Sequence, residues 1–425
     1  MRMKDGAIQS AYNAALDEYS AMGVDVKSAV DGLKKVPLSV HCWQGDDVAG
    51  FESPDSALSG GGLQVTGSHP GRARNLDELR EDLETALSLI PGVHRVNLHA
   101  IYGDFGGVRV DRDAITPDHF KSWADWARNE RVGLDFNASC FSHPLASDGW
   151  TVCNRREKTR AFWVEHIRRC REIGAWLGAK LGTPCIHNLW VPDGCKDLTT
   201  DRHGRRKLLR ESLDRIFSDR HDKRHLKDSV EAKLFGIGSE AFVAGSHEFY
   251  MMYVSGRDDL MLCLDLGHFH PTESVADKVS ALFLFKKEML LHVSRGIRWD
   301  SDHVVVGDDN LRELMLEISR LNAFHGTHIA LDYFDASLNR VGAWVIGARA
   351  TLKAVLYALL EPVGRLRELE NAGDKAGMLE LMEECKAMPF GAVWNHYCAE
   401  TGVPPGSAWT AVIKEYEQRV LRGRT

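Results

Sequence analysis

Carboxylates and imidazoles accumulate in the second half of this chain. Glu231, Asp265, His268, His270, His292, Asp300, Asp302, His303 and Asp332 all lie in, or just after, short apolar runs. Several carboxylates forced into one pocket repel each other unless protons or cations neutralise them, and the simplest neutraliser is a metal. Mixed carboxylate oxygen and imidazole nitrogen suit Mn2+, Co2+ or Zn2+ better than an all-oxygen Ca2+ cage, with Mg2+ as a further alternative. Seven candidates, Glu231, Asp265, His268, His292, Asp300, Asp302 and Asp332, exceed what one ion takes while leaving room for a substrate. Two ions sharing a bridging carboxylate, about 3.5–4 Å apart, fit that number better. Each piece alone has a plain structural reading: Asp265–Pro271 as a hydrogen-bonded loop, Trp299–His303 as an acidic helix start. Four consecutive strands would need four independent excuses of that kind.

The elements that must position these groups are short and regular. Leu38–Trp43, Arg95–Tyr102, Gly133–Asn137, Cys185–Trp190, Val230–Phe235, Leu260–Gly267, Leu290–Ser294 and His328–Phe334 read as strands. Helical patterns such as Leu76–Leu89, Pro117–Asn129, Lys158–Leu177 and Asp309–Leu321 alternate with them. Strands alternating with helices imply a parallel sheet, and eight such units fit a (β/α)8 TIM barrel. No G-x-G-x-x-G follows the first strand, so the doubly wound alternative lacks its main support. Residues two apart on a strand share a face. Asn97 with His99, Asp135 with Asn137, Asn188 with Trp190, Glu231 with Lys233, and His292 with Ser294 therefore point together, as do the lone Asp265 and Asp332. Seven of eight strands are expected to aim polar groups into one cavity. The chain divides on this reading into an N-terminal helical segment (1–36), the barrel with its active site (37–342) and a C-terminal helical extension (343–425). In that extension Leu352–Leu369 and Ala376–Met388 read as helices, and Pro404-Pro405-Gly406 precedes a last one at Ala408–Leu421.

Composition sets the remaining bounds. The 425 residues are 44% hydrophobic and 27% charged, which is ordinary for a globular chain. Lys and Arg number 53 against 60 Asp and Glu, a net charge of −7. That balance argues against nucleic-acid and anionic-membrane partners, both of which rely on cationic surfaces, and tolerates a polar small molecule. No run reaches the ~18 apolar residues of a transmembrane helix. Nine cysteines, without a C-x-x-C pair, suggest neither a disulfide framework nor a zinc ribbon, and point to a reducing cytoplasm.

Several long segments carry a resemblance. They are Ser39–Asp47, Asn97–Tyr102, Gly133–Asn137, Ser139–Pro144, Trp190–Gly194, Lys233–Gly238, Leu264–Glu273, His292–Arg295 and Arg298–Val304. In these runs the chain resembles the L-rhamnose isomerase family, from about Ala14 to Val420. The resemblance implies a metal-dependent aldose–ketose isomerase on a (β/α)8 barrel, a homotetramer preferring Mn2+ at two ions per subunit, with a small sugar as its partner. It implies that Glu231, Asp265, His292 and Asp332 hold a structural ion, and that His268, Asp300 and Asp302 hold the catalytic one. Lys233, Asp300 and Asp302 are then expected to carry the chemistry, and His99, Asn188 and Trp190 to contact the sugar. His270 and His303 adjoin the ligands and are expected to orient them. The chain departs from the family pattern at His187 and in the Thr66–Gly71 loop, departures that bear on substrate breadth and loop contacts. The N-terminal helices and Gly60–Leu63 are candidate lids or subunit contacts.

Isomerisation exchanges hydrogen between C1 and C2 while the carbonyl shifts. A base can do this through an enediol, or polarisation of both oxygens by divalent ions lets the hydrogen move as hydride. The second route is expected, because the ionisable residues are mostly committed as ligands. Lys233 would stabilise the developing oxyanion, His99 would meet a ring oxygen or hydroxyl, and Trp190 would pack on the sugar's apolar face. A sugar epimerase on the same barrel is the nearer alternative, and a metal-dependent phosphodiesterase the more distant one.

Overall fold

The computed structural model describes residues 5–52 and 65–424. Gly60–Leu63 lies outside them. Eight parallel strands close a barrel: β1 (Leu38–His41), β2 (Arg95–His99), β3 (Gly133–Asn137), β4 (Cys185–Trp190), β5 (Leu226–Glu231), β6 (Leu260–Asp265), β7 (Met289–Val293) and β8 (Thr327–Leu331). Each strand neighbours its successor, and β1 pairs with β8. Helices α1 (Asp5–Ala21) and α2 (Val26–Leu33) precede the barrel. Its wall comprises α3 (Leu76–Leu87), α4 (Lys121–Glu130), α5 (Glu157–Leu181), α6 (Arg202–Ile216), α7 (His247–Ser255), α8 (Ala276–Phe285), α9 (Asp309–Arg320) and α10 (Arg340–Leu359). Then follow α11 (Val363–Asn371), α12 (Lys375–Ala387), α13 (Phe390–Glu400) and α14 (Trp409–Arg419). A two-stranded antiparallel pair, Gly194–Cys195 with Phe242–Val243, sits among the loops.

Alternation along the strands decides what faces where. Leu38 and Val40, Leu291 and Val293, and Ile329 and Leu331 join the large core between barrel and helices. That core also takes Tyr12 and Val30 from the N-terminal helices and Val393 and Trp394 from α13, so the extensions share one continuous core with the barrel. Helix starts are defined by side-chain caps: Asn75 accepts from the Glu78 backbone N–H before α3, and Asp308 from that of Leu311 before α9. Among the described helices only α10 is long and apolar enough to cross a membrane, but 78% of its apolar stretch is buried inside the fold, as in a core helix.

The structure corrects several expected boundaries. The fifth strand is Leu226–Glu231, four residues earlier than the Val230–Phe235 read from the sequence. Lys227, Asp228 and Ser229 hid it by looking polar. Asp228 faces outward and is buried because Arg171 of α5 (3.0 Å) and His187 (2.9 Å) pair with it. Glu231 therefore ends the strand, and Lys233 lies beyond it. The expected strands at Leu38–Trp43, Arg95–Tyr102 and Leu260–Gly267 end earlier, where the chain turns into 3-10 helices at Cys42–Gln44, Ala100–Tyr102 and Leu266–His268. The helix expected at Leu352–Leu369 is two, α10 and α11, separated at Pro362, and the division expected at 342/343 falls inside α10.

Asp135 does face the axis, but at the floor rather than the mouth. Arg95 grips it at 2.8 Å and the Ser39 hydroxyl donates to it at 2.6 Å. Above this floor lies a small apolar cluster of Ile186, Met261, Cys263, Leu290 and Ala330. The polar cavity begins only above that plug, at the C-terminal ends of the strands where barrels carry their chemistry.

Candidate metal centre and sugar pocket

The parallel register assembles the deepest part of the site. Glu231 lies beside Cys263, and Asp265 beside His292. Asp332 follows the end of β8, its backbone N–H donating to Val293. The donor atoms of Glu231, Asp265, His292 and Asp332 consequently all lie within 4.8 Å of one another. His292 Nδ1 is 3.1 Å from Asp332, 3.4 Å from Glu231 and 3.6 Å from Asp265. Yet neither ring nitrogen of this buried imidazole makes a well-directed hydrogen bond. A lone pair flanked by three carboxylates, without in-line N–H···O contacts, is what a cation ligand requires. Three carboxylates and an imidazole form a mixed donor set for a divalent ion. The site fits a metal.

Surrounding groups hold these donors in place. Asn188 Nδ2 donates to Glu231 Oε2. Ser294 Oγ (2.8 Å) and the Gly267 backbone N–H (2.7 Å) both donate to Asp265 Oδ1. Trp43 Nε1 donates to Asp332 Oδ1 at 3.1 Å. Gly267 is required by the close approach: a Cβ there would stand 2.7 Å from Asp300 Oδ1 and 3.0 Å from Ser294 Oγ.

A second tier sits above. Lys233 Nζ is 2.6 Å from Asp300 Oδ2, and His268 spans Glu231 (3.0 Å) and Asp300 (3.3 Å). Asp302 adopts φ +48°, a left-handed conformation costly for most residues but accessible to Asp. Its carbonyl accepts from the Phe334 backbone N–H, tying the 295–303 loop to the end of β8. His268, Asp300 and Asp302 do not form a three-donor group of the tightness seen below, and Asp300 is engaged by Lys233.

The electrostatics are those of a cluster neutralising itself. Burial works against charge on both imidazoles, but Cys263 and Glu231 raise His292, and Asp265 and Asp300 raise His268, well above the ordinary imidazole range. Burial would raise Glu231, yet the two imidazoliums hold it well below the usual carboxylate range. Burial, Asp300 and Asp332 push Asp302 well above the usual carboxylate range. Asp300 is depressed, because Lys233 and His268 outweigh its burial. Cation binding displaces protons from such a set.

These tiers line a cavity of about 520 Å³, solvent included, with Trp43, His99, Asn137, Phe141, Trp190 and Phe334 on its walls. His99 donates to or accepts from Ser139 Oγ at 3.1 Å through Nδ1, and burial together with Arg112 pushes its pKa down to about 3, so it is neutral. Lys233 Nζ stands 4.6 Å over the Trp190 ring. The indole N–H of Trp190 and the Asn188 amide oxygen have no protein partner.

All eleven residues singled out as ligands, catalytic groups or sugar contacts thus come to one place, with Asp265 alone recessed from the cavity lining behind Gly267. Lys233 arrives there from the segment after β5 instead of from the strand. The expected orienting role of His270 and His303 is not seen: they bond Thr272 and Ser301, and neither lines the cavity. His247, whose Nε2 donates to the His268 carbonyl at 2.9 Å, supports that loop instead. Trp43, Phe141 and Phe334 were missed as wall residues. Only their aromatic character next to strand ends could have signalled them.

A family model described as L-rhamnose isomerase (RhaA) matches residues 6–424. The chain belongs to the L-rhamnose isomerase family. An L-rhamnose isomerase from Rhodopirellula baltica is 56% identical over 420 residues, covering 99% of this chain and 98% of that protein. One from Citrobacter koseri is 51% identical over 418 residues, covering 98% and 99%. Among solved structures, an L-ribulose 3-epimerase aligns with TM-score 0.45 at 13% identity, over 72% of this chain and 98% of that one. Both places where the resemblance implies a departure lie outside the cavity lining. His187 turns outward to Asp228 beneath α5. The Thr66–Gly71 loop docks on the segment after β8: the His69 backbone N–H donates to the Ala336 carbonyl at 2.8 Å, and Gly67, at φ +117°, packs against the Ala336–Ser337 peptide. Neither contributes a residue to the cavity lining.

Proposed function

We propose that this protein is a divalent-metal-dependent isomerase interconverting L-rhamnose and L-rhamnulose. The observation that carries the reading is the family match over residues 6–424, and the buried four-donor group beneath a polar cavity agrees with it. Glu231, Asp265, His292 and Asp332 hold one ion, and His268, Asp300 and Asp302 hold a second, with Mn2+ the preferred species and Zn2+, Co2+ and Mg2+ as alternatives. Bound divalent ions supply electrophilic polarisation of the sugar's C1 and C2 oxygens and cancel the carboxylate charge.

The residues of the chain do the rest. His99, fixed by Ser139 and neutral, offers its remaining ring nitrogen to a ring oxygen or hydroxyl during ring opening. The unpartnered Trp190 N–H and Asn188 carbonyl oxygen orient hydroxyls, while the indole face covers the sugar's apolar side. From the aldose, hydrogen leaves C2 with its electron pair and joins C1, as the O2–H proton is lost and O1 gains one. Lys233 Nζ, buried and cationic, donates to the oxygen that turns anionic. Asp302 lines the same cavity, and as a ligand of the second ion it would be ionised. Phe141, Phe334 and the indoles keep bulk water from the reacting carbons.

We further assign the protein to the cytoplasm, a placement supported by nine free thiols, and to a homotetramer, which sedimentation would test. Incubating metal-loaded and chelated protein with L-rhamnose tests the activity. A ketose formed only with metal supports it, whereas an epimer or full activity after exhaustive chelation overturns it. Isomerisation in D2O tests the hydride route, which extensive solvent deuterium in the product would sink.

A further inference from the structure

Cys263 is the member of the apolar plug that carries an ionisable metal-ligating atom. Its place is set by register: Glu231 is its direct neighbour on β5, and Asp265 lies two residues further along the same inward face. His292, opposite Asp265, completes the surroundings from β7. The donor atoms of Glu231, Cys263 and His292 all lie within 4.8 Å of one another, and all three residues are buried. His292 is 1% exposed, and neither of its ring nitrogens has a well-directed hydrogen-bond partner. The barrel therefore contains two donor groups that share Glu231 and His292. The upper is completed by Asp265 and Asp332, the lower by a sulfur.

We infer that Cys263, with Glu231 and His292, forms a second seat selective for soft, thiophilic cations, which excludes the hard ion because both seats draw on the same two ligands. The inference rests on the proposed ligand role of Glu231 and His292 and goes beyond it. Thiolate sulfur favours soft cations, whereas Mn2+ stands lowest in the divalent series and gains little from it. Seating a soft ion there exchanges the Cys263 thiol proton for a metal–sulfur bond, the proton leaving to solvent. It also leaves the Asp265 and Asp332 carboxylates without a cation, so a soft ion blocks the enzyme from below the substrate instead of competing with it.

The test uses chelated full-length protein titrated with Cd2+, reading the thiolate-to-cadmium charge-transfer absorption. The wild type is expected to develop a band that saturates at one ion per chain. It should be lost in Cys263→Ser and in Cys263→Ala, and kept in Cys195→Ser and Cys385→Ser, which alter the two least buried thiols. In wild-type protein loaded with Mn2+, Cd2+ should release Mn2+ one for one, read by electron paramagnetic resonance of the free ion; this needs no variant to fold. Asp332→Asn should weaken Mn2+ retention and leave the cadmium band intact. No band, a band persisting in both Cys263 variants, or a band forming while Mn2+ stays bound overturns the inference. Undiminished Mn2+ retention in Asp332→Asn would instead remove the oxygen-rich seat, with the cadmium band standing or falling separately.

Discussion

Replacing Lys233 by Met keeps the stem that packs over Trp190 and deletes the charge that faces Asp300. At 2.6 Å, with an effective dielectric constant of about 20, the attraction of that pair is roughly 6 kcal/mol. Most of it offsets the desolvation of two groups that are each 7% exposed, so the pair adds little net stability. Deletion is different, because it leaves a buried carboxylate beside Asp302 with only His268 as counter-charge, at a cost of up to about 3–5 kcal/mol. Spread over 425 residues, an unfolding entropy of roughly 0.9 kcal/mol/K converts this to a fall of about 3–6 °C in Tm. The chemical step loses the donor aimed at the developing oxyanion, and kcat should fall about 100- to 1000-fold. The two effects separate under excess Mn2+. A cation taken up by Asp300 restores much of the Tm without restoring kcat. Differential scanning fluorimetry and initial rates on L-rhamnose read both. A kcat within about tenfold of wild type would refute the assigned chemistry, and an unchanged Tm in metal-free protein would refute the stranded-charge argument.

Further outcomes follow from the same geometry. Gly267→Ala places a methyl 2.7 Å from Asp300 Oδ1 and 3.0 Å from Ser294 Oγ, so metal affinity measured by calorimetry should fall about 10- to 100-fold while the circular dichroism spectrum stays native. Metal at about 100 times its Kd should stabilise the wild type by about 2.7 kcal/mol, and chelation should remove that gain along with activity. Ser139→Ala frees the His99 tautomer, so kcat/KM should drop with Tm nearly unchanged. Burial would raise Asp228, but His187 and Arg171 hold its carboxyl below the usual range. Its depressed pKa contributes stability above the unfolded value of about 4, and this is lost as pH falls through the folded value. The stability gap between wild type and Asp228→Asn in urea should therefore narrow on acidification from neutral pH, and a gap that widens contradicts the pairing.

The chemistry was more legible in the sequence than the architecture around it. Glu231, Asp265, His292 and Asp332 stood out because an ionisable group on an apolar strand has few reasons to be there, and the period-two rule put them on one face. The same rule misplaced Asp135: face is written in the period, but height along the barrel axis is not, and Arg95 claims that carboxylate at the floor. The fifth strand slipped because Asp228 looks like a loop residue until Arg171, 57 positions earlier, is brought beside it. Lys233 reached the cavity for a reason other than strand phase. Trp43 was read only as strand filler, since nothing local announces that its indole N–H will meet Asp332, 289 residues away. Pairings of this kind exist only once the barrel has closed.

The apolar plug of Ile186, Met261, Cys263, Leu290 and Ala330 makes the barrel a blind well. Whatever descends to Glu231 and His292 has a single way back, past Asp300, Asp302 and then the aromatic rim. Loading and unloading must therefore follow a stack order in which the deepest occupant goes in first and comes out last. A sugar seated in the rim acts as a stopper: it slows escape of everything beneath it without touching those ligands. Protein at work should then hold its metal longer than protein at rest, and a chelator should strip it fastest in the pauses between turnovers.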